Sequence, residues 1–299
     1  MSLLSPQLSA ALQKTISLAT GKRFAILTST PAGGGCINSA LRLQGDSQEY
    51  FVKLNRRELA HMFEAEAEGL QEIVATQAVR APQPVCHGIA GDQAFLVMEC
   101  LQLRANKAAS DRQLGRQLAA MHDIQQPFFG WHRNNTIGST HQPNERSDDW
   151  STFWTERRLG FQLELAASGG FGGRLQREGE KLLGRIPGLL RGHEPEPSLL
   201  HGDLWGGNYA QDDAGQPVIF DPACYYGDRE ADLAMTELFG GFGGDFYAAY
   251  REVHPLDAGY AVRKTLYNLY HILNHLNLFG GGYLGQAESM IGRLLAETR

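Results

Sequence analysis

The chain has 299 residues, a hydrophobic content of 42% and a formal net charge of −6. That apolar share can supply a core to two modest domains, which sets disorder aside, and acidic and basic residues are mixed without the run of about five like charges that would track a phosphate backbone or an anionic leaflet. No apolar stretch reaches the roughly 18 residues of a spanning helix, and no charged n-region precedes an apolar block. Neither nucleic acid nor membrane is therefore an expected partner, and a cytoplasmic address is expected.

In chain order, SPQLSAALQKTISLA places a Ser cap and a Pro ahead of apolar residues at helical spacing, which predicts a helix over Pro6–Ala19. From Arg23 to Leu54 the pattern changes to short β-type runs, FAILTS, SALRLQ and EYFVKL, with a glycine cluster between the first two. These predict a small antiparallel sheet. Helical spacing returns over Leu59–Val74, VRAPQPVCHG reads as a proline-punctuated connection, and AFLVMEC is a further strand. Beyond Cys100 helices dominate: Asp111–His122, Ser151–Ala167, Leu175–Arg185, Arg229–Phe239, Arg263–Phe279 and Gly285–Ala296. PNERSDD and RGHEPEPS read as exposed loops. The expected fold class is α+β and bilobal, an N-terminal lobe over 1–101 and a helical C-terminal lobe over 102–299, joined near 99–102. Cys36, Cys86, Cys100 and Cys224 lie far apart without a CxxC pair, so the sequence encodes neither a zinc site nor a disulfide framework.

One stretch carries chemistry. LHGDLWGGNY spans Leu200–Tyr209, and IFDPA follows with Asp221 at the end of an apolar run. Asp203, Asn208 and Asp221 are hard oxygen donors of the kind Mg²⁺ takes, without the imidazole or thiolate partners of a transition-metal site. Phosphoryl transfer from ATP needs a held triphosphate, a lysine and metal to spread its charge, and a carboxylate beside the acceptor hydroxyl. A candidate exists for each task. Gly33, Gly34 and Gly35 sit between two predicted strands, where bare backbone can approach phosphate oxygens. Lys53 lies mid-strand in YFVKL for the phosphates, and Glu66 in MFEAEAEGLQEI is placed to hold it. Met98, Glu99 and Leu101 form a hinge for the adenine ring. Asp203 would face the acceptor, with Asn208 and Asp221 on Mg²⁺; the Asp-to-Asn interval is that of the kinase HRDxxxxN loop. His201 and Asp232 read as structural supports of this loop. His271 and His275 read as packing or a cleft wall, and His122 as structural at a helix end.

HGDLWxGN followed by FDPA, YGDRExDLAM and a late FGG resembles the fructosamine kinase (ketosamine 3-kinase) family, a branch of the aminoglycoside and choline kinase group with the protein kinase-like fold. The likeness extends through GGGCIN, FVKLN, FEAEAEGL, FLVME, DDWSTFWTERRLGFQLELA and LLHGDLWGGNYA, nearly the whole chain. The resemblance implies ATP- and Mg²⁺-dependent phosphorylation of the 3-hydroxyl of a ketosamine, a ribulosamine, erythrulosamine or fructosamine adduct of a small amine or a protein lysine, by a monomer or homodimer. Trp205 would then give an apolar face to the sugar, and Asp148, Asp149 or Glu230 would meet the cationic nitrogen. Gly206 stands where many relatives have Ser. Cys36 occupies the phosphate loop as in eukaryotic members said to respond to oxidation, which makes it a candidate redox switch beside the reading of a spectator thiol. Two alternatives stay open: another small-molecule kinase of the group, acting on an aminoglycoside, choline or a free sugar, and an ATP-binding pseudokinase.

Overall fold

The structure is a computed structural model that describes residues 4–33, 38–105 and 108–298. Contacts divide the chain into two compact units, 1–106 together with 210–221, and 107–209 together with 222–299.

The first unit opens with α1 (Pro6–Thr20), whose N-cap Ser5 accepts the Leu8 N–H at 3.2 Å and which ends at Gly21 with φ 68°. Strands β1 (Thr28–Ala32), β2 (Ser39–Gln44) and β3 (Glu49–Arg56), helix α2 (Ala60–Thr76), and strands β4 (Pro84–Ala90) and β5 (Gln93–Glu99) follow. The strands form one antiparallel sheet in the order β1-β2-β3-β5-β4. The stripe Leu8, Leu12 and Ile16 of α1 packs with Leu43, Val52, Phe95 and Val97 into a core, and α2 buries Met62, Phe63, Leu70 and Ile73. Two details correct the sequence reading. FAILTS is not a strand as a whole: the Phe24 N–H is taken by Ser17 Oγ and the Ile26 N–H by Gln13 Oε1, both at 2.9 Å, so helix side chains satisfy groups a ladder would have used and pairing starts at Thr28. PVCHGIA, read as a connection, is the edge strand β4, where a leading Pro is tolerated because no neighbour needs its missing N–H.

The second unit contains α3 (Ala108–His122), the hairpin β6 (Asn135–Ile137) and β7 (Thr140–Gln142), α4 (Trp150–Phe153), a π-helical segment Trp154–Gly160, α5 (Phe161–Ser168), α6 (Arg174–Leu183), α7 (Ile186–Leu189) and β8 (Ser198–Leu200). The hairpin of β9 (Tyr209–Gln211) and β10 (Pro217–Ile219) follows, most of it grouped with the first unit, and then β11 (Tyr225–Gly227), α8 (Glu230–Leu238), α9 (Gly244–Val253), α10 (Tyr260–Phe279) and α11 (Leu284–Glu297). Here β8 pairs antiparallel with β11. Both α7 and α9 escape the sequence reading. Glycines break up the GGFGGDFYAAYREV pattern, although α9 packs so closely on α3 that a Cβ on Gly115 would lie 2.3 Å from the Phe246 carbonyl oxygen. PNERSDD is not wholly exposed: Pro143 and Asn144 are buried and Asn144 is hydrogen-bonded on all sides. No helix among the described residues is long and apolar enough to cross a membrane.

Candidate active site

In the first unit the site begins with Lys53 on the central strand β3, opposite Ala40 of β2 and Leu96 of β5. This position buries the whole side chain, so its ammonium must find anions. It lies 2.5 Å from Glu66 Oε1, on the inner face of α2, and 2.6 Å from Asp221 Oδ1. Burial alone would lower the lysine pKa, yet the charges of Asp221 and then Glu66 override it and raise the pKa above its ordinary value. Glu66 moves up as well, because burial and the Asp221 charge outweigh the attraction of Lys53. Asp221 adopts φ 59°, a left-handed conformation that costs a non-glycine residue about 1 kcal/mol. Its side chain stays 41% exposed, so an oxygen remains open to a further ligand.

Met98 is buried in β5 between Phe51 and Pro84. The Glu99 N–H donates to the Gln83 carbonyl at 2.8 Å, while its carboxylate accepts from Arg80 at 2.6 Å. Leu101 follows the strand, half-buried. Gly33 is exposed, and a Cβ there would meet nothing within 4 Å. Gly34, Gly35 and Cys36 lie outside the described residues.

In the second unit β8 delivers the loop His201–Asn208. Asp232, buried in the first turn of α8, accepts the N–H of His201 at 2.7 Å and of Gly202 at 2.8 Å. His122, at the end of α3, lies 3.2 Å from the same carboxylate and 2.7 Å from the Tyr250 hydroxyl. Burial opposes the Asp232 charge, but bonds from His122 and the main chain hold its pKa below the usual range; burial keeps the His122 pKa low. Gly202 has φ 82°, and a Cβ on it would fall 2.1 Å from the Ala223 carbonyl oxygen, so only glycine fits. The Asp203 N–H donates to His201 Nδ1 at 3.3 Å. Asn208 donates its amide nitrogen to the Asp203 carbonyl at 2.9 Å and to the Asp203 carboxylate at 3.2 Å, which leaves its amide oxygen for another partner. Asp203 is thereby fixed from its backbone and from its side chain.

Trp205, 39% exposed, starts an aromatic run: its ring is 6.2 Å from Phe239, which is 4.8 Å from His275, itself 5.2 Å from Tyr283. His275 Nδ1–H donates to the His271 carbonyl at 2.8 Å, so its Nε2 is an acceptor. Sequence reasoning missed Phe239 and Tyr283 as members of this wall; the available signal was the four-residue spacing of His271, His275 and Phe279 along one helix face. Of the acids considered for a substrate nitrogen, Glu230 is buried in a bidentate pair with Arg263 at 2.6 and 2.8 Å, Asp149 caps α4 through the Thr152 N–H at 2.7 Å, and Asp148 is exposed. Asp221 in the first unit offers a carboxylate oxygen and Asn208 in the second an amide oxygen, each a hard donor of the kind magnesium takes.

Comparison with known proteins supplies the context. A sequence model of the fructosamine kinase family matches residues 8–297. The chain is 47% identical over 283 residues to a "probable ketoamine kinase" of Synechocystis, covering 94% of each chain. It is 44% identical over 277 residues to the chloroplastic protein-ribulosamine 3-kinase of Arabidopsis thaliana, covering 92% of this chain and 84% of that one. A crystal structure from Haemophilus somnus, named for fructosamine-3-kinase, superposes with a TM-score of 0.87 at 31% identity, over 95% of this chain and 96% of that one.

Proposed function

The chain belongs to the fructosamine kinase family, and from that premise we propose that it transfers the γ-phosphoryl group of ATP to the 3-hydroxyl of a ketosamine. The observation that carries this reading is the clasp of Lys53 by Glu66 and Asp221, a buried cation held at the end of two carboxylates. A lysine fixed in this way is a positioned charge for the α- and β-phosphates, and Glu66 keeps it from wandering. Gly33, Gly34 and Gly35 would cover the phosphates, and Met98, Glu99 and Leu101 would receive the adenine. Asp221 and Asn208 are the residues that would hold Mg²⁺, which when bound neutralises phosphate oxygens.

Asp203 is assigned the acceptor hydroxyl. The transition state is loose, so the P–O bond is largely broken before the hydroxyl proton leaves, and the carboxylate needs no raised pKa. Its contribution is orientation, and the bond from Asn208 to its carboxylate and the bond from its own N–H to His201 Nδ1 fix that orientation. The partly exposed ring of Trp205 suits the C–H side of a sugar, and the run through Phe239 and His275 extends it.

The test is an acceptor panel of ribulosyl-, erythrulosyl- and fructosyl-lysine, free and in a protein, against an aminoglycoside, choline and free ribose, with the phosphorylated product read by mass. Phosphate on the ketosamines is expected. Phosphate only on an aminoglycoside, choline or free sugar would assign the chain a different acceptor, and ATP binding without any transfer would make it a pseudokinase.

A further inference from the structure

The second unit buries a cation with no carboxylate against it. Arg158, on the π-helical segment, is fully buried. Among the described residues it has no acidic partner, and its Nε has no hydrogen-bond partner. Its terminal nitrogens donate instead to neutral oxygens: the Pro143 carbonyl at 2.5 Å, Asn144 Oδ1 at 2.8 Å and the Arg157 carbonyl at 3.1 Å. The guanidinium also lies 4.0 Å from the ring centre of Tyr225 and 4.6 Å from that of Phe153. A buried charge without a counter-ion is costly, and an apolar side chain of similar volume would fill the same space at lower cost. What a methionine or leucine could not do is hold two carbonyls, an amide and two rings in one geometry.

Those groups lead to the catalytic loop. Asn144 Nδ2 donates to Asn135 Oδ1 at 2.8 Å, as does Gln142 Nε2. Asn135 in turn donates to the Cys224 carbonyl at 2.8 Å, and Gln142 to the Ala223 carbonyl at 3.1 Å. The Ala223 N–H then donates to the His201 carbonyl at 2.8 Å, and its carbonyl is the one packed against Gly202. The Tyr225 ring under the guanidinium belongs to β11, which pairs with β8 immediately before the loop. Arg158 therefore grips the 223–225 segment twice, through the ring of Tyr225 and through the amide relay, and that segment is the surface on which His201–Asp203 rests.

We propose that Arg158 is a positioning residue for the phosphoryl-transfer step: it sets the Ala223–Tyr225 segment, and through it the backbone of the loop that carries Asp203. This rests on the assignment of Asp203 to the acceptor. The π-helical widening has a reason in this setting, since it places one guanidinium between two rings and the 143–144 turn, a use in keeping with the frequent occurrence of such segments at functional sites.

The experiment uses the full chain as wild type, Arg158→Lys, which keeps the charge and loses the planar fork, and Asn135→Ser, which cuts the relay without touching the cation. Ketosamine kinetics are combined with amide exchange of the loop peptide around 199–209 and of a remote helix, α11. Expected for Arg158→Lys is a kcat lower by roughly 10²-fold, as a misplacement near 1 Å would give, with the KM for ATP within about twofold. Faster exchange in the loop but not in α11 should accompany it, and Asn135→Ser should show the same pattern more weakly. Wild-type kcat in a folded Arg158→Lys protein, or exchange that rises equally in the loop and in α11, would overturn the proposal and leave a purely structural arginine. If Arg158→Lys does not fold, Asn135→Ser decides by the same readings. A wild type that phosphorylates no ketosamine would refute the functional reading instead, while the exchange comparison still judges the positioning claim without substrate.

Discussion

The Lys53 clasp and the Asp203 loop are built on opposite principles. In the first, two carboxylates lie within 2.6 Å of one ammonium, and their attraction to it fixes the geometry. In the second, Asp203 is placed by its own N–H bond to the His201 imidazole, one amide side chain, and a glycine with no room for a Cβ. A charge clasp tolerates small displacements, because Coulomb attraction falls slowly with distance, whereas a loop held by hydrogen bonds and contact does not. The two regions should therefore fail in different ways, one through lost charge and the other through lost fit.

The largest effect expected short of removing a reacting group is steric. Gly202→Ala adds one methyl against the Ala223 carbonyl at a positive φ. Transfer should fall by roughly 10²-fold and stability by about 2 kcal/mol, read by steady-state kinetics and thermal melts; a variant with wild-type kcat would mean the loop is looser than its contacts imply. Next comes Glu66→Gln, which keeps shape and removes one charge of the clasp. Asp221 still holds Lys53, so the KM for ATP should rise about tenfold with a smaller fall in kcat. Equal losses from both substitutions would erase the distinction between the regions.

A smaller, pH-dependent difference should separate the units. His271, buried on α10, has its pKa lowered from 6.5 to about 3 by burial, with the neighbouring His275 adding to the effect. A depressed folded-state value means its contribution to stability is complete above pH 6.5 and lost as the pH falls toward 3. At pH 4.5 that loss is on the order of 2 kcal/mol. The raised pKa of Lys53 has the opposite sign: its contribution is complete below 10.5 and lost only in stronger alkali. Acid should thus weaken the second unit through His271, and His271→Asn should flatten the acid limb of a denaturation profile from pH 7 to about 4. An unchanged limb would place the acid sensitivity elsewhere.

The candidate reacting groups were more legible in the sequence than what holds them. Asp203, Asn208 and Asp221 stand out because their residue types and intervals answer to the chemistry itself, and Lys53 because a lysine in an apolar strand is out of place unless paired. The strands β2, β3 and β5 were legible from their β-type runs, as was the α1 stripe, whereas the prolines ahead of β4 hid that strand. The three-residue strands β8 and β11 are too short to show a period, so the platform beneath the loop was invisible. Arg158 was hidden for another reason: in WTERRLG it reads as one of several surface charges, and only tertiary packing shows that one arginine turns inward while its neighbour Arg157 stays out. Glu230 was misleading in the same way, since its partner Arg263 lies far along the chain. FAILTS shows that alternation can be overruled when side chains from a preceding helix take the backbone donors.

The most direct measurement sets Lys53→Met beside Asp203→Ala, with ATP affinity by calorimetry and phosphoryl transfer to a ribulosyl-lysine in a single turnover. Expected is weakened nucleotide binding in the lysine variant, and in the aspartate variant near wild-type binding with transfer reduced by at least about 10³-fold. Transfer at the wild-type rate by Asp203→Ala, or unchanged ATP affinity in Lys53→Met, would contradict the roles assigned to both regions.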